Sequence, residues 1–153
     1  KHDAALVSDC GTPGFCDPGS DLVTLCRNKN ITIKNCLGAS SLMGLISLSG
    51  LKFKEFLFKG FLSQDTELRE EEWKELAIEV GQKDRPVVIM DTPYRLQRTL
   101  SDLEKHFPKN IIVLALNLAT EEELVLKGTP GQIKFNALPK KAEFILFITA
   151  QKH

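Results

Sequence analysis

A short apolar run at residues 4–7 stops at Ser8-Asp9-Cys10-Gly11-Thr12-Pro13-Gly14-Phe15-Cys16-Asp17-Pro18-Gly19, and an amphipathic helix pattern follows. This is the signature of a strand that enters a helix through a loop lying close to something. Gly11, Gly14 and Gly19 remove side chains, and Pro13 and Pro18 fix φ. Asp17 is suited to cap the next helix, with Pro18 at its first position. In open α/β sheets, ligands sit beyond the carboxyl ends of the strands, where such loops lie. On these residues alone a binding loop and a tight connection both stand.

The rest of the chain alternates in the same way. Residues 4–8 read as a buried strand, residues 18–29 as a helix with Leu22, Leu25 and Cys26 on one face, and Ile31-Thr32-Ile33 as a brief second strand. A helix over 40–49 is apolar nearly all round and is expected to be buried. These elements predict a fragment of parallel sheet. The character changes near Gly50, giving expected lobes of 1–52 and 53–153. Beyond it we expect a strand at 55–61 and a helix over 66–81 whose charge run forms a solvated face. A strand at 86–90 leads to a helix opened by Pro93 and running to about His106. Strands follow at 111–116, 123–127 and 143–149, with a short helix after the Gly128-Thr129-Pro130-Gly131 turn.

Composition narrows the function classes. Twenty basic and twenty acidic residues cancel, so no global field attracts nucleic acid. No run reaches the roughly 20 apolar residues that span a bilayer, and no signal peptide is visible, so no membrane association and a cytoplasmic location are expected. The cysteines Cys10, Cys16, Cys26 and Cys36 contain no Cys-x-x-Cys and no nearby His pair. No metal site is expected, and the four thiols are read as small buried hydrophobes. His2, His106 and His153 are expected at the surface.

The loop at 8–19 resembles the S-adenosylmethionine loop of the tetrapyrrole (corrin/porphyrin) methylase superfamily, in particular the branch that methylates a ribose 2′-hydroxyl of small-subunit ribosomal RNA. Three more segments match in order. Leu37-Gly38-Ala39-Ser40-Ser41 stands where that branch has Pro-Gly-Pro-Ser-Ala. Gly50-Leu51, with Phe56-Leu57-Phe58-Lys59-Gly60-Phe61-Leu62, matches its interdomain stretch. Asp91-Thr92-Pro93-Tyr94-Arg95-Leu96 resembles its Glu-Ser-Pro-His-Arg-Leu.

The resemblance implies a two-lobed α/β fold, with a partial parallel-sheet N-terminal lobe and a mixed-sheet C-terminal lobe. It implies S-adenosylmethionine as cofactor, folded into a cleft between the lobes and met largely by backbone groups. By position, Cys10, Gly11, Thr12 and Phe15 line it, Ser40 and Ser41 add contacts, and Met90, Asp91 and Ala119 close over it. Tyr94 and Arg95 lie in the first turn of their helix. There Arg95 is placed to hold a phosphate or carboxylate and Tyr94 to stack on a base, or else Tyr94 packs and Arg95 pairs with a nearby acid. The resemblance also implies a homodimer and ribosomal RNA, or the small ribosomal subunit, as partner.

Three departures accompany the likeness. The family's opening strand and first glycine-rich loop have no counterpart, so the chain is expected to begin within the later strands of the first lobe. Leu37-Gly38-Ala39 replaces a Pro-Gly-Pro turn. Leu116-Asn117-Leu118-Ala119-Thr120 stands where the ribosomal branch has an Arg-Glu-Leu-Thr-Lys-type segment. A methylase of a tetrapyrrole or other small molecule, and a non-catalytic scaffold that keeps the fold, are therefore the alternatives to a ribosomal RNA methyltransferase. No catalytic residue is identifiable.

Overall fold

A computed structural model describes residues 3–8 and 11–150; Cys10, His2 and His153 lie outside the described residues. The chain forms two compact units, Lys1–Gly44 and Leu45–His153.

In the first unit the glycine-rich loop leads to helix α1 (Ser20–Asn28), and helix α2 (Ser41–Ser49) begins near its end. The helix start differs from expectation. Gly19, at φ +147°, is the residue preceding the helix, and Asp17 makes no cap. Its carboxylate instead accepts the Ser8 hydroxyl at 2.6 Å, closing the loop on itself. No strand forms among the described residues of this unit, so the runs at 4–8 and 31–33 are not the parallel strands expected. A parallel strand is covered on both faces and held by neighbours, and neither run has one there. Helix α1 buries none of its residues, and α2 buries only Leu45 and Ser49, so its all-round apolar character does not translate into all-round burial. Cys16 and Cys36 are exposed and Cys26 is intermediate, all three as free thiols, which corrects the expectation of buried cysteines.

The second unit holds a five-stranded mixed sheet. Its strands are β1 (Leu57–Gly60), β2 (Val87–Asp91), β3 (Ile111–Leu116), β4 (Leu124–Gly128) and β5 (Phe144–Thr149). The order is β1-β2-β5-β3-β4. β1 and β2 are parallel, joined by helix α3 (Thr66–Gly81), because parallel neighbours need a crossover. β5 lies between β2 and β3, antiparallel to both, with Asp91 and Leu116 each opposite Phe144.

One face of the sheet carries α3 and helix α4 (Leu96–His106). Alternation along β5 puts Phe144, Leu146 and Ile148 into this core with Trp73, Leu76, Val80, Leu100 and Leu103. Phe147 faces the other side, where its ring lies 5.2 Å from Phe53 and 6.0 Å from Phe56. The ends of the helices follow from local chemistry. Asp65 caps α3 by accepting the Glu67 and Leu68 amides at 3.0 Å. Thr129 and Gln132 form a reciprocal capping box on helix α5 (Pro130–Ile133).

Two expectations for α3 and α4 need correction. The charge run of α3 is not all solvated, since Arg69 lies on the Trp73–Leu76–Val80 stripe and is 2% exposed. His106 is not a surface residue: its ring stacks on Trp73 at 5.8 Å and 10°, with Nε2 3.2 Å from Glu70.

Candidate functional site

Within the first unit, the structure brings two of the predicted segments together. Gly11, at φ +78°, holds the loop so that a side chain there would stand 3.7 Å from the Ala39 carbonyl. The Ala39 carbonyl thus lies beside the glycine loop at Gly11. Gly14, at φ +90°, has open space where a side chain would be, as does Gly38. A non-glycine residue at Gly11 or Gly14 would be strained by its backbone alone. Thr12 is half-buried, while Phe15 is exposed. Ser40 opens α2: its hydroxyl accepts the Met43 amide at 3.4 Å and its carbonyl accepts the Gly44 amide at 2.9 Å. Ser41 is the first residue of the helix and is exposed. A loop of this kind, with positive-φ glycines and unfilled space beside the backbone, leaves room for a ligand to approach the main chain.

In the second unit, Met90, Asp91 and Ala119 come to one end of the sheet. β2 and β3 run in the same direction with β5 between them, so the carboxyl ends of two strands flank the start of a third. Strand spacing puts Asp91 and Leu116 about 10 Å apart. Ala119 follows in a loop locked by Asn117, which takes the Glu143 amide on Oδ1 at 3.2 Å and donates its own amide to the Glu143 carbonyl at 2.9 Å. Asn117 and Ala119 have φ of +48° and +62°. Two non-glycine residues in the left-handed region so close together mark a loop whose shape is imposed by its surroundings. The Ala119 amide is taken by Glu123 Oε2 at 2.7 Å.

The Asp91-Thr92-Pro93-Tyr94-Arg95 segment turns out of β2 through a short 3₁₀ turn, Pro93–Arg95, before α4. The Asp91 carboxylate is buried and fully engaged. Its Oδ1 accepts the Thr92 amide at 2.8 Å and Arg95 Nη1 at 3.1 Å, and its Oδ2 stands 3.5 Å from Arg69 Nη1. Arg95 therefore does pair with a nearby acid. Tyr94 does not pack: it is 80% exposed, with Lys141 Nζ 5.4 Å from its ring centroid.

Sequence reasoning missed the layer beneath. Arg69 donates from Nε to Asp102 at 2.7 Å and from Nη2 to Thr99 at 3.0 Å, and Trp73 Nε1 donates to the same Asp102 oxygen at 3.0 Å. The available signal was spacing. Arg69 stands four residues before Trp73 on the apolar stripe, where a charged residue requires partners.

A groove of about 460 Å³ opens at the opposite end of the sheet, lined among others by Lys52, Phe53, Pro86, Lys127 and Thr149. It contains none of the predicted residues. Among the described residues no group of three His, Cys, Asp or Glu side chains is arranged to hold a metal ion. None of their helices is long and apolar enough to cross a membrane.

Comparison with known proteins identifies the family. Residues 1–134 match the family model of the Tetrapyrrole (Corrin/Porphyrin) Methylases. Among curated relatives, a protein named ribosomal RNA small subunit methyltransferase I from Neisseria meningitidis is 34% identical over 133 residues, covering 85% of this chain and 43% of the relative. Proteins of the same name from Synechocystis sp. and Leptospira biflexa are 35% and 34% identical, covering 94% and 97% of this chain and 51% and 60% of the relatives. The chain thus spans about half the length of these relatives.

Solved structures agree on the fold. A cobalt precorrin-4 methyltransferase matches with a TM-score of 0.64 at 9% identity, over 91% of this chain and 61% of that one. A uroporphyrin-III C-methyltransferase from Thermus thermophilus, complexed with S-adenosylhomocysteine, matches with a TM-score of 0.57 at 12% identity, over 91% and 62%. Four ordered motifs, the mixed sheet and these relatives lead to one statement: the chain belongs to the tetrapyrrole (corrin/porphyrin) methylase family.

Proposed function

We propose that this chain is part of an S-adenosylmethionine-dependent methyltransferase that acts on a ribose 2′-hydroxyl of small-subunit ribosomal RNA. The observation that carries the reading is the 34–35% identity to relatives bearing that ribosomal name, over 85–97% of this chain. In this reading Cys10, Gly11, Thr12, Phe15, Ser40, Ser41, Met90, Asp91 and Ala119 are the cofactor-binding residues, acting largely through main-chain groups.

When bound, S-adenosylmethionine supplies a methyl group on a sulfonium that is already a good leaving group. The task left to the protein is to orient the two reactants and exclude water. The glycine loop and the turn at Leu37–Ser40 fix one reactant through backbone contacts, while Tyr94 and Arg95 at the strand ends offer a stacking plane and a cation to a nucleotide. A ribose hydroxyl is a weak nucleophile and gains from a base. His106 does not supply one from its stack on Trp73.

The test is calorimetric titration with S-adenosylhomocysteine, followed by methylation of small ribosomal subunits lacking the modification. Micromolar binding and methyl incorporation into a ribose support the reading. Turnover of precorrin-type compounds with inert subunits moves the substrate to a tetrapyrrole, and no binding of the cofactor product leaves a scaffold. The same reading includes a homodimer and a cytoplasmic location beside ribosomes. Exposed apolar residues such as Val7 and Leu37 suit a partner surface, and a monomer mass by sedimentation at micromolar concentration would remove the dimer.

A further inference from the structure

The segment that ends β2 rests on a chain of alternating charge: Asp102, Arg69, Asp91, Arg95. The successive links are 2.7, 3.5 and 3.1 Å. Arg69 and Asp91 are buried inside it, and each lies between two partners of opposite sign. Asp102, at the inner end, also accepts from Trp73. Arg95 is the outer end and, among the described residues, has one carboxylate only. Its contacts among the described residues all run through Nη1, to Asp91 and to the Leu62 carbonyl at 3.3 Å. The Nε and Nη2 edge has no acceptor there, and the side chain is 21% exposed. A guanidinium fixed through one nitrogen and open along the other edge is arranged to receive an oxyanion in bidentate fashion, at little further cost in side-chain entropy.

We propose that Arg95 takes a phosphodiester of the substrate RNA strand, and that Arg69, which touches no substrate, is the positioning residue that aims it through Asp91. The proposal rests on the ribose-methylation reading above. Tyr94, the residue before Arg95, is exposed and carries Lys141 Nζ 5.4 Å from its ring centroid, adding a stacking face and a second cation. A purely structural role for the ion chain would tie α3 to α4 through Arg69, Thr99 and Asp102, and would leave RNA binding untouched.

The experiment compares the parent protein with Arg95→Gln, Arg69→Lys and Thr99→Val. Thr99→Val is the mild variant, removing one acceptor of Arg69 and no charge. Binding of a short single-stranded RNA is followed by fluorescence anisotropy across a potassium chloride series without cofactor, and S-adenosylhomocysteine affinity is measured in parallel. Arg95→Gln is expected to weaken RNA binding roughly tenfold and to reduce the slope of log affinity against log salt by about 0.7, the value of one phosphate contact on a single strand. Arg69→Lys keeps the charge but loses the fork, and is expected to move affinity and slope in the same direction, with Thr99→Val smaller. Cofactor-product affinity is expected to fall less than RNA affinity in every variant, because Asp91, which both arginines touch, meets the cofactor by its main chain in the reading above.

Four results overturn the proposal: no RNA binding by the parent; an unchanged slope in Arg95→Gln; melting temperature alone affected in both Arg69→Lys and Thr99→Val; or a loss of S-adenosylhomocysteine affinity in Arg95→Gln as large as that of RNA affinity, which would assign the anion to the cofactor's carboxylate. Failure of the methyltransferase reading itself shows separately, as a parent protein that does not bind S-adenosylhomocysteine.

Discussion

The two units of this chain solve opposite problems. The unit ending at Gly44 is built on a loop whose geometry is dictated by glycine φ angles and by the Ser8–Asp17 contact, and its helix α1 buries nothing. The unit beginning at Leu45 is built on burial, with β2, β3 and β5 almost wholly covered and two helices over one face. Shape in the first is set by backbone permission, and in the second by apolar area removed from water. Side-chain truncation should therefore be severe in one and mild in the other, while loss of a glycine should act in reverse.

The largest expected effect lies in the second unit. Trp73→Ala removes a fully buried indole that also donates to Asp102, and is expected to cost about 3–5 kcal/mol in denaturant unfolding. Leu22→Ala, on half-exposed α1, is expected within about 0.5 kcal/mol. Equal costs would break the contrast by giving the first unit a core of its own.

Gly14→Ala tests the other half. Its φ of +90° is expected to make alanine about 1–2 kcal/mol unfavourable. That should appear as weaker hydrogen-exchange protection of the α1 amides, with the second unit unchanged. Undiminished protection would mean that the loop's shape does not depend on that glycine.

Thr129→Ala, which opens the capping box of α5, is expected to cost about 1 kcal/mol in global stability. Stability unchanged within error would show that burial of Pro130 alone holds that turn.

The smallest effect is one of pH. Burial pushes the Glu72 carboxyl up, but the Ser63 amide at 2.7 Å and Lys59 at 2.9 Å, with Arg69 nearby, outweigh it and hold the acid below its ordinary 4.5. A lowered folded value means stability that is present above pH 4.5 and is lost as pH falls through the folded value. Glu72→Gln should remove about 0.5 kcal/mol of that acid-sensitive stability, read from urea midpoints at neutral pH and below 4. The same acid slope in both proteins would count against it.

Much of the second unit was legible in sequence because its signals are periodic. The helix over 66–81 and the strand at 111–116 appear at those bounds, since Trp73, Leu76 and Val80 repeat at helical spacing and Ile111–Leu116 is a continuous apolar run. The first unit was legible as punctuation but not as sheet: Gly, Pro and Asp announce a turn, whereas residues 4–8 and 31–33 announce strands only if neighbours are present. The site divides in the same way. The candidates at 11–15, 40–41, 90–91 and 94–95 come from likeness to motifs, and Ala119 from position alone. Arg69 could not, because a charge among charges reads as solvent-facing until tertiary contact supplies Asp91, Asp102 and Thr99. The engagement of Asp91 by its own neighbours was equally invisible, since it depends on pairs 22 and 4 residues apart meeting at one carboxylate.

The place of β5 in the sheet has a consequence for synthesis on the ribosome. β2 and β3 leave the exit tunnel long before Phe144–Thr149, yet neither can find its shared neighbour until that strand arrives. For that interval two hydrophobic strands stand with open edges, and the contacts that close them are long-range ones that form slowly. The nascent chain is then most exposed to mispairing, and β5 is the strand that ends the exposure.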